Sequence, residues 1–330
     1  MRMQLRPLDA ATYRPHPLHS MERAWPETNC YVDLWIEVLH GLGYEPMAML
    51  GFALGIDFEG DQFTFFKPPL SDLKTLYGVE VEELNIWRSL VHHTAEQVGR
   101  GRMPIIEVDA FYLPDTKGLS YRTEGQHPKT SIGVQDIDVA KRTLGYFHNG
   151  GYFALDGDDF AGAFHLELAP GEVWLPPYVE RVKFGPGKGL TGGALLEASK
   201  ALTRMHLRGR PAKNPVREFI PRFAKDLPWL RDEAAEQFHP YAFATLRQLG
   251  AAFELAASYL RWLDPTLEAA ALPFEVISTT CKAMLFKLAR TVMNKKPFDA
   301  QPMLEALATG WDTGMAVLDE RFGERLGSGA

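Results

Sequence analysis

The chain has 330 residues, 46% hydrophobic and 12% aromatic, enough apolar material for one or two cores and too much for a disordered protein. A formal net charge of -7 argues against a protein that coats nucleic acid along its whole surface, and two cysteines exclude a disulfide scaffold. No run of about 18 uncharged apolar residues and no N-terminal apolar leader is read in the sequence, so the expectation is a cytoplasmic protein without a membrane segment.

Residues 1–25 read as an irregular lead-in. From Tyr31 the apolar positions fall at helical spacing: Tyr31, Leu34, Trp35, Val38, Leu39 and Leu42, closed by Gly41 and Gly43. A short helix is predicted over Ser71–Tyr77 with Gly78 as its stop, and a longer one over Val81–Val98. The period then changes. Strands are predicted over Pro104–Asp109, Thr130–Gln135, Thr143–Phe147, Tyr152–Leu155 and Phe164–Leu168, with Asn149-Gly150 as a hairpin turn. The glycine-rich run Gly185–Gly193 reads as a hinge. Beyond it, helical patterns run over about 193–208, 214–225, 240–263, 274–294 and 300–322. The expected fold class is α+β: N-terminal helices with an antiparallel sheet over 1–184, then a mostly helical domain over 185–330.

Charge is unevenly spread. Between Arg181 and Lys225 eleven Lys or Arg face only Glu197 and Glu218, a local net charge of +9. Such a stretch suits an acidic partner, with Lys183, Lys188, Lys200, Arg204 and Arg208 as its leading candidates; the bland alternative is a solvated helical surface.

Chemistry is suggested first by Cys30, which sits in Thr28-Asn29-Cys30 at the start of the Tyr31–Leu42 helix. A first-turn cysteine meets unpaired N–H groups and the positive end of the helix dipole. Both favour a thiolate, and the same N–H groups can hold an oxyanion. Cys281 shares a helix face with Ile277, Met284 and Leu288 and reads as core. A thiolate nucleophile needs a base and an orienting group. His127, at a loop-to-strand junction, is the candidate base; Asn149 or Asp138 could orient it, with His148 beside Asn149. Asn29, Gln126 and Asp109 could donate or orient hydrogen bonds in the same cleft. Asp57, Glu59 and Asp61 lack the later ligands of a calcium loop, and no metal site or bound cofactor is expected.

The order of these features resembles a known family. Cys30 opens a helix ending near Gly43, followed by Asp57-Phe-Glu59, then Glu107-Val-Asp109-Ala-Phe-Tyr112-Leu-Pro114, then His127 before an Ile-Gly-Val strand. This resembles the butirosin-biosynthesis acyltransferase family, which has a papain-like cysteine-peptidase core. Asn-Cys-Tyr-Val-Asp-Leu-Trp, Asp-Phe-Glu-Gly-Asp-Gln-Phe-Thr-Phe-Phe-Lys and Tyr-Phe-His-Asn are more closely similar to a bacterial domain-of-unknown-function family, number 1839 in its series. The first resemblance covers about residues 25–160 and implies Cys30 as nucleophile, His127 as its base, and a third member near His148-Asn149. It also implies a reaction: transfer of an acyl or aminoacyl group from the phosphopantetheine thioester of an acidic carrier protein to a small amine. A cysteine peptidase or amidase on the same core, and a binding module without activity, are the alternatives.

Overall fold

A computed structural model describes residues 2–167, 174–187 and 189–323. The chain divides into two units. The first holds the N-terminal residues to His19, Cys30–Pro46 and Leu73–Leu190; the second holds Ser20–Asn29, Met47–Asp72 and the chain from Thr191.

The first unit is built on a seven-stranded antiparallel sheet. Its strands are β1 (Met3–Gln4), β2 (Val79–Glu83), β3 (Met103–Asp109), β4 (Lys129–Asp138), β5 (Thr143–His148), β6 (Gly151–Asp156) and β7 (Val179–Phe184). They run in the order β2-β7-β3-β4-β5-β6, with β1 also paired to β4. β4 is central and buried on both faces. Its alternation is the ordinary period of two. Ile132 and Val134 join Ile106, Val108, Tyr146 and Phe160 in a core completed by Leu90, Val91, Ala95 and Val98 of α3 (Leu90–Gly99). Between them Gly133 turns to the other face, where α1 (Cys30–Gly41) lies. A Cβ on Gly133 would stand 3.2 Å from Leu34 and 3.4 Å from Val38 of α1, so the missing side chain lets the helix settle on the strand. Burying Leu34 or Val38 fully is worth about 1.5–3 kcal/mol each. α1 therefore sits with its first turn beside the start of β4.

The helix expected over Val81–Val98 is two elements. Val79-Glu-Val81 alternates buried and half-buried residues and forms β2; helix begins only at Leu90. The strand expected over Phe164–Leu168 does not form in its described part: Phe164 closes α4 (Gly157–Ala163), and His165 takes a left-handed φ of 49°. Leu168 lies outside the described residues. The Asn149-Gly150 turn does join β5 to β6, and Asn149 has a φ of 42°.

Helix α2 (Leu70–Tyr77) carries the chain from the second unit back to the first and ends at Gly78, whose φ is +66°. The second unit is helical: α5 (Gly192–Gly209), α6 (Pro215–Asp232), the short α7 (Phe238–Ala242), a π-helical turn over Phe243–Arg247, α8 (Gln248–Leu263), α9 (Glu268–Asn294) and α10 (Gln301–Phe322). The segment Pro265–Asn294 is long and apolar enough to cross a membrane by length and composition. Its Ile277, Cys281, Met284 and Leu288 face is buried within this unit.

Candidate functional site

Cys30 is the first residue of α1 and is partly exposed. The Ser131 backbone and the Thr130 side chain, both at the start of β4, act on its thiol and favour the ionised form. Burial pushes the thiol pKa up. Ser131, Thr130 and Lys129 pull it back, while the Asp33 carboxylate, one turn along α1, adds to the rise. The net direction is upward. The sequence-based expectation is a thiol lowered by the helix terminus; burial, the largest cause, moves it the other way. Cys281 is wholly buried, and burial alone pushes its thiol far up.

Two imidazole–carboxylate pairs flank this end of the sheet, and they differ in exposure. His127 precedes β4. Its Nδ1 lies 2.6 Å from Asp109 Oδ2, and its ring stacks on Phe111 with centroids 4.7 Å apart. Asp109 ends β3, and its other oxygen accepts the Phe111 N–H at 2.9 Å, which fixes the carboxylate. The His127 side chain is 54% exposed. His148 ends β5 and its side chain is 1% exposed. Its Nδ1 lies 2.5 Å from Asp115 Oδ2, and its Nε2 lies 2.8 Å from the Thr130 hydroxyl. The second Asp115 oxygen accepts the Tyr146 phenol at 2.5 Å. Burial and the Asp115 charge push that phenol far up, so Tyr146 remains a donor.

The predicted residues are therefore sorted by the fold. Cys30 stands beside the start of β4, the strand His127 leads into, and His148 hydrogen-bonds Thr130 of the same strand. Asp109 orients His127. Asn149 holds the left-handed corner of the hairpin. Asp138 ends the opposite end of β4, roughly 30 Å away at strand rise, where it accepts the Ala140 and Lys141 N–H groups; it cannot orient His127. Gln126 is exposed, and its N–H bonds the Thr123 carbonyl. Asn29 belongs to the second unit, where its Nδ2 donates to the Phe66 carbonyl at 3.0 Å and to Gln248 at 3.5 Å.

Thr130, Asp115 and Tyr146 were not legible as site residues. Tyr146 and His148 share a strand face by parity, but joining them to Thr130 requires the β4–β5 register. Among the described residues no group of His, Cys, Asp and Glu could hold a metal ion.

The basic stretch is less free than its count implies. Lys183 lies on β7 of the first unit, 3.5 Å from Glu80. Lys200, Arg204 and Arg208 fall four residues apart along α5. Lys200 meets Glu197 at 2.9 Å and Arg204 lies over the Phe322 ring. Arg210 and Arg217 pair with Asp319 and Asp312 of α10, acids far off in sequence. Lys188 lies outside the described residues.

Two family models match the chain in succession. The DUF1839 N-terminal domain matches residues 14–184 and the DUF1839 C-terminal domain residues 192–320. None of the curated proteins compared with the chain matches it.

Proposed function

The chain belongs to the DUF1839 family, both of whose domains it carries in order, and we propose that it is a cysteine-dependent acyltransferase acting through an acyl-enzyme on Cys30. The carrying observation is the placement of a partly exposed cysteine at a helix start, beside the first residues of β4, where Thr130 hydrogen-bonds a buried His–Asp pair. In this reading the thiolate attacks a thioester carbonyl. Exchange of one thioester for another is nearly isoenergetic, so the acyl-enzyme costs little to form. The Ser131 backbone, which acts on the Cys30 thiol, is the donor placed to hold the oxyanion. His127, with Asp109 holding Nδ1, presents Nε2 as a base on the exposed side, where an acceptor amine can give up its proton.

The finer likeness to a papain-like core is part of the same proposal: a helix that begins with cysteine, packed on an antiparallel sheet that supplies the histidines. So is the donor, the phosphopantetheine arm of an acidic carrier protein, for which the Lys200, Arg204 and Arg208 stripe of α5 offers charge of the right sign. Two free cysteines suit the reducing cytoplasm in which such a donor would be met.

The test is intact-mass analysis after incubation with an acyl-pantetheine thioester. Cys30 should gain the acyl mass and lose it to added amine, and iodoacetamide should label Cys30 well before Cys281. Equal labelling of the two cysteines in the native protein, or an acyl mass that survives Cys30→Ala, would refute the reading. Release of the acyl group at one rate with and without amine would mark a hydrolase instead.

A further inference from the structure

We propose that a cleft at the far end of the sheet from Cys30 binds a small polyamine, held by the Asp9 and Asp156 carboxylates and the Tyr152 hydroxyl. The inference is independent of the acyl-transfer reading: Asp138, on the wall of this cleft, lies roughly 30 Å along β4 from the end of that strand where Cys30 stands.

The cleft has a volume of about 610 Å³, within the range of small-molecule sites. Its walls all belong to the first unit: the N-terminal segment, the ends of β4 and β6, and β5 between them. Gly145 of β5 stands opposite Asp136 of β4 and Ala154 of β6. Its missing side chain leaves a slot that Tyr152 crosses. A Cβ on Gly145 would overlap the Tyr152 hydroxyl and stand 3.1 Å from the Asp136 Cβ. Tyr152 is 4% exposed, and its ring packs on Phe147 and Tyr13 with centroids 5.0 and 5.8 Å away, so its direction is fixed. The side chain lines the cleft, and among the described residues its hydroxyl has no hydrogen-bond partner. An enclosed hydroxyl left unpaired is costly, and an atom lodged in the cleft is what would satisfy it.

Charge selects the class of ligand. Asp9, Asp136, Asp138 and Asp156 line the cleft against only Arg2 and Lys141. Asp136 is neutralised by Arg2, whose Nε meets its two oxygens at 2.7 and 3.0 Å. Asp138 Oδ1 accepts the Ala140 and Lys141 N–H groups. Asp9 accepts the Ala11 N–H at 3.0 Å, and Asp156 precedes α4 without capping it; among the described residues neither forms an ion pair. These two carboxylates come from different walls, the N-terminal segment and the end of β6. No acids converge there closely enough to hold one metal ion among the described residues. A molecule with separated ammonium groups fits where a single ion does not: each ammonium takes one carboxylate, and a further N–H donates to the Tyr152 oxygen. A neutral ligand would leave both carboxylates unpaired, and an anion has the wrong sign. Water filling the cleft, with the Arg2–Asp136 pair merely tying the N-terminal segment to β4, is the competing account; it gives no selective response to a polyamine.

The experiment is calorimetric titration of the full-length protein with spermidine, with Mg²⁺ at matched ionic strength as the ion control. Spermidine should bind at one site, and Mg²⁺ should not reproduce its heat. Tyr152→Phe removes only the hydroxyl and should weaken binding about fivefold. Asp9→Asn combined with Asp156→Asn should weaken it by at least about tenfold. Lys141→Gln removes a like charge and should tighten it about twofold. Asp9, Lys141 and Asp156 are exposed, so their variants keep the proposal testable should Tyr152→Phe fail to fold. No saturable heat up to about 5 mM spermidine, a heat that Mg²⁺ reproduces, or an affinity left unchanged by the asparagine pair or by a folded Tyr152→Phe overturns the proposal. Any of these results leaves the acyl-transfer reading standing, because Cys30 labelling and acylation are measured separately.

Discussion

Replacing His19 by glutamine should remove a cation from beneath α1, and the cost should depend on pH in a calculable way. His19 Nδ1 lies 2.5 Å from Glu37 and Nε2 lies 3.4 Å from Asp33, with the imidazole 3% exposed. Burial lowers the imidazole pKa, but the two carboxylates outweigh it and the group is pushed up to about 9. The ordinary value is about 6.5, so the shift is about 2.5 units, and at about 1.4 kcal/mol per unit the charged state contributes roughly 3 kcal/mol. The folded value lies above the unfolded one. That stabilisation is therefore complete below about pH 6.5 and disappears as pH rises through about 9. Urea unfolding of wild type and His19→Gln at pH 6, 8 and 10 reads the difference directly. The gap between the two proteins should be largest at pH 6 and shrink by about 3 kcal/mol by pH 10. A gap that stays constant with pH would show that His19 packs as a neutral ring and would refute the charge argument. The effect also reaches the site, because Asp33 raises the Cys30 thiol and His19 is the cation that offsets Asp33.

Other outcomes are equally open to measurement. Gly133→Val should overpack the α1–β4 contact, costing about 1–3 kcal/mol in urea unfolding and slowing Cys30 alkylation by displacing the helix start. Asn149 holds a left-handed φ, so Asn149→Ala should cost about 1 kcal/mol while Asn149→Gly is tolerated; Cys30 alkylation unchanged in the glycine variant would assign Asn149 to the turn rather than to the chemistry. Reversing charge at Lys200, Arg204 and Arg208 together should weaken binding of an acidic carrier protein by about tenfold or more in dilute buffer, and by less in 0.5 M salt; indifference to the reversal would remove α5 from the docking surface.

What the sequence made legible was local. The helix beginning at Cys30, the hairpin at Asn149-Gly150 and the α+β class followed from spacing and turn chemistry alone. What it hid depended on distant partners. Val79–Glu83 carries three glutamates in five residues and did not look like a strand, yet only one face of β2 is buried, and the glutamates take the other face and the strand end. β7 is held by pairing on both sides, to β2 and β3, rather than by any hydropathy signal of its own. Asp33 and Glu37 lie outside the apolar stripe read for α1, yet both are buried, with Tyr13, the His16 N–H and His19 all bonded to Glu37. The +9 count did not foresee that α10 would supply acids to Arg210 and Arg217.

The two histidine–carboxylate pairs show why position in sequence was a poor guide to role. His127 was conspicuous because its polar loop promised exposure, and exposure is what it has. His148 was read mainly as a neighbour of the Asn-Gly turn, although the last residue of a central strand is where a buried side chain can be held most firmly. For the acyl transfer proposed above, desolvation is what would set the two pairs apart. A thiol whose pKa is raised by burial needs a base within the same low-dielectric surroundings, because a solvated imidazole would have to separate charge across the protein–water boundary to take its proton. The exposed pair has the opposite advantage: an incoming amine arrives from water, and the base that serves it must be reachable from there. For the acceptor amine of the proposed reaction this argument points to the exposed pair, His127 with Asp109.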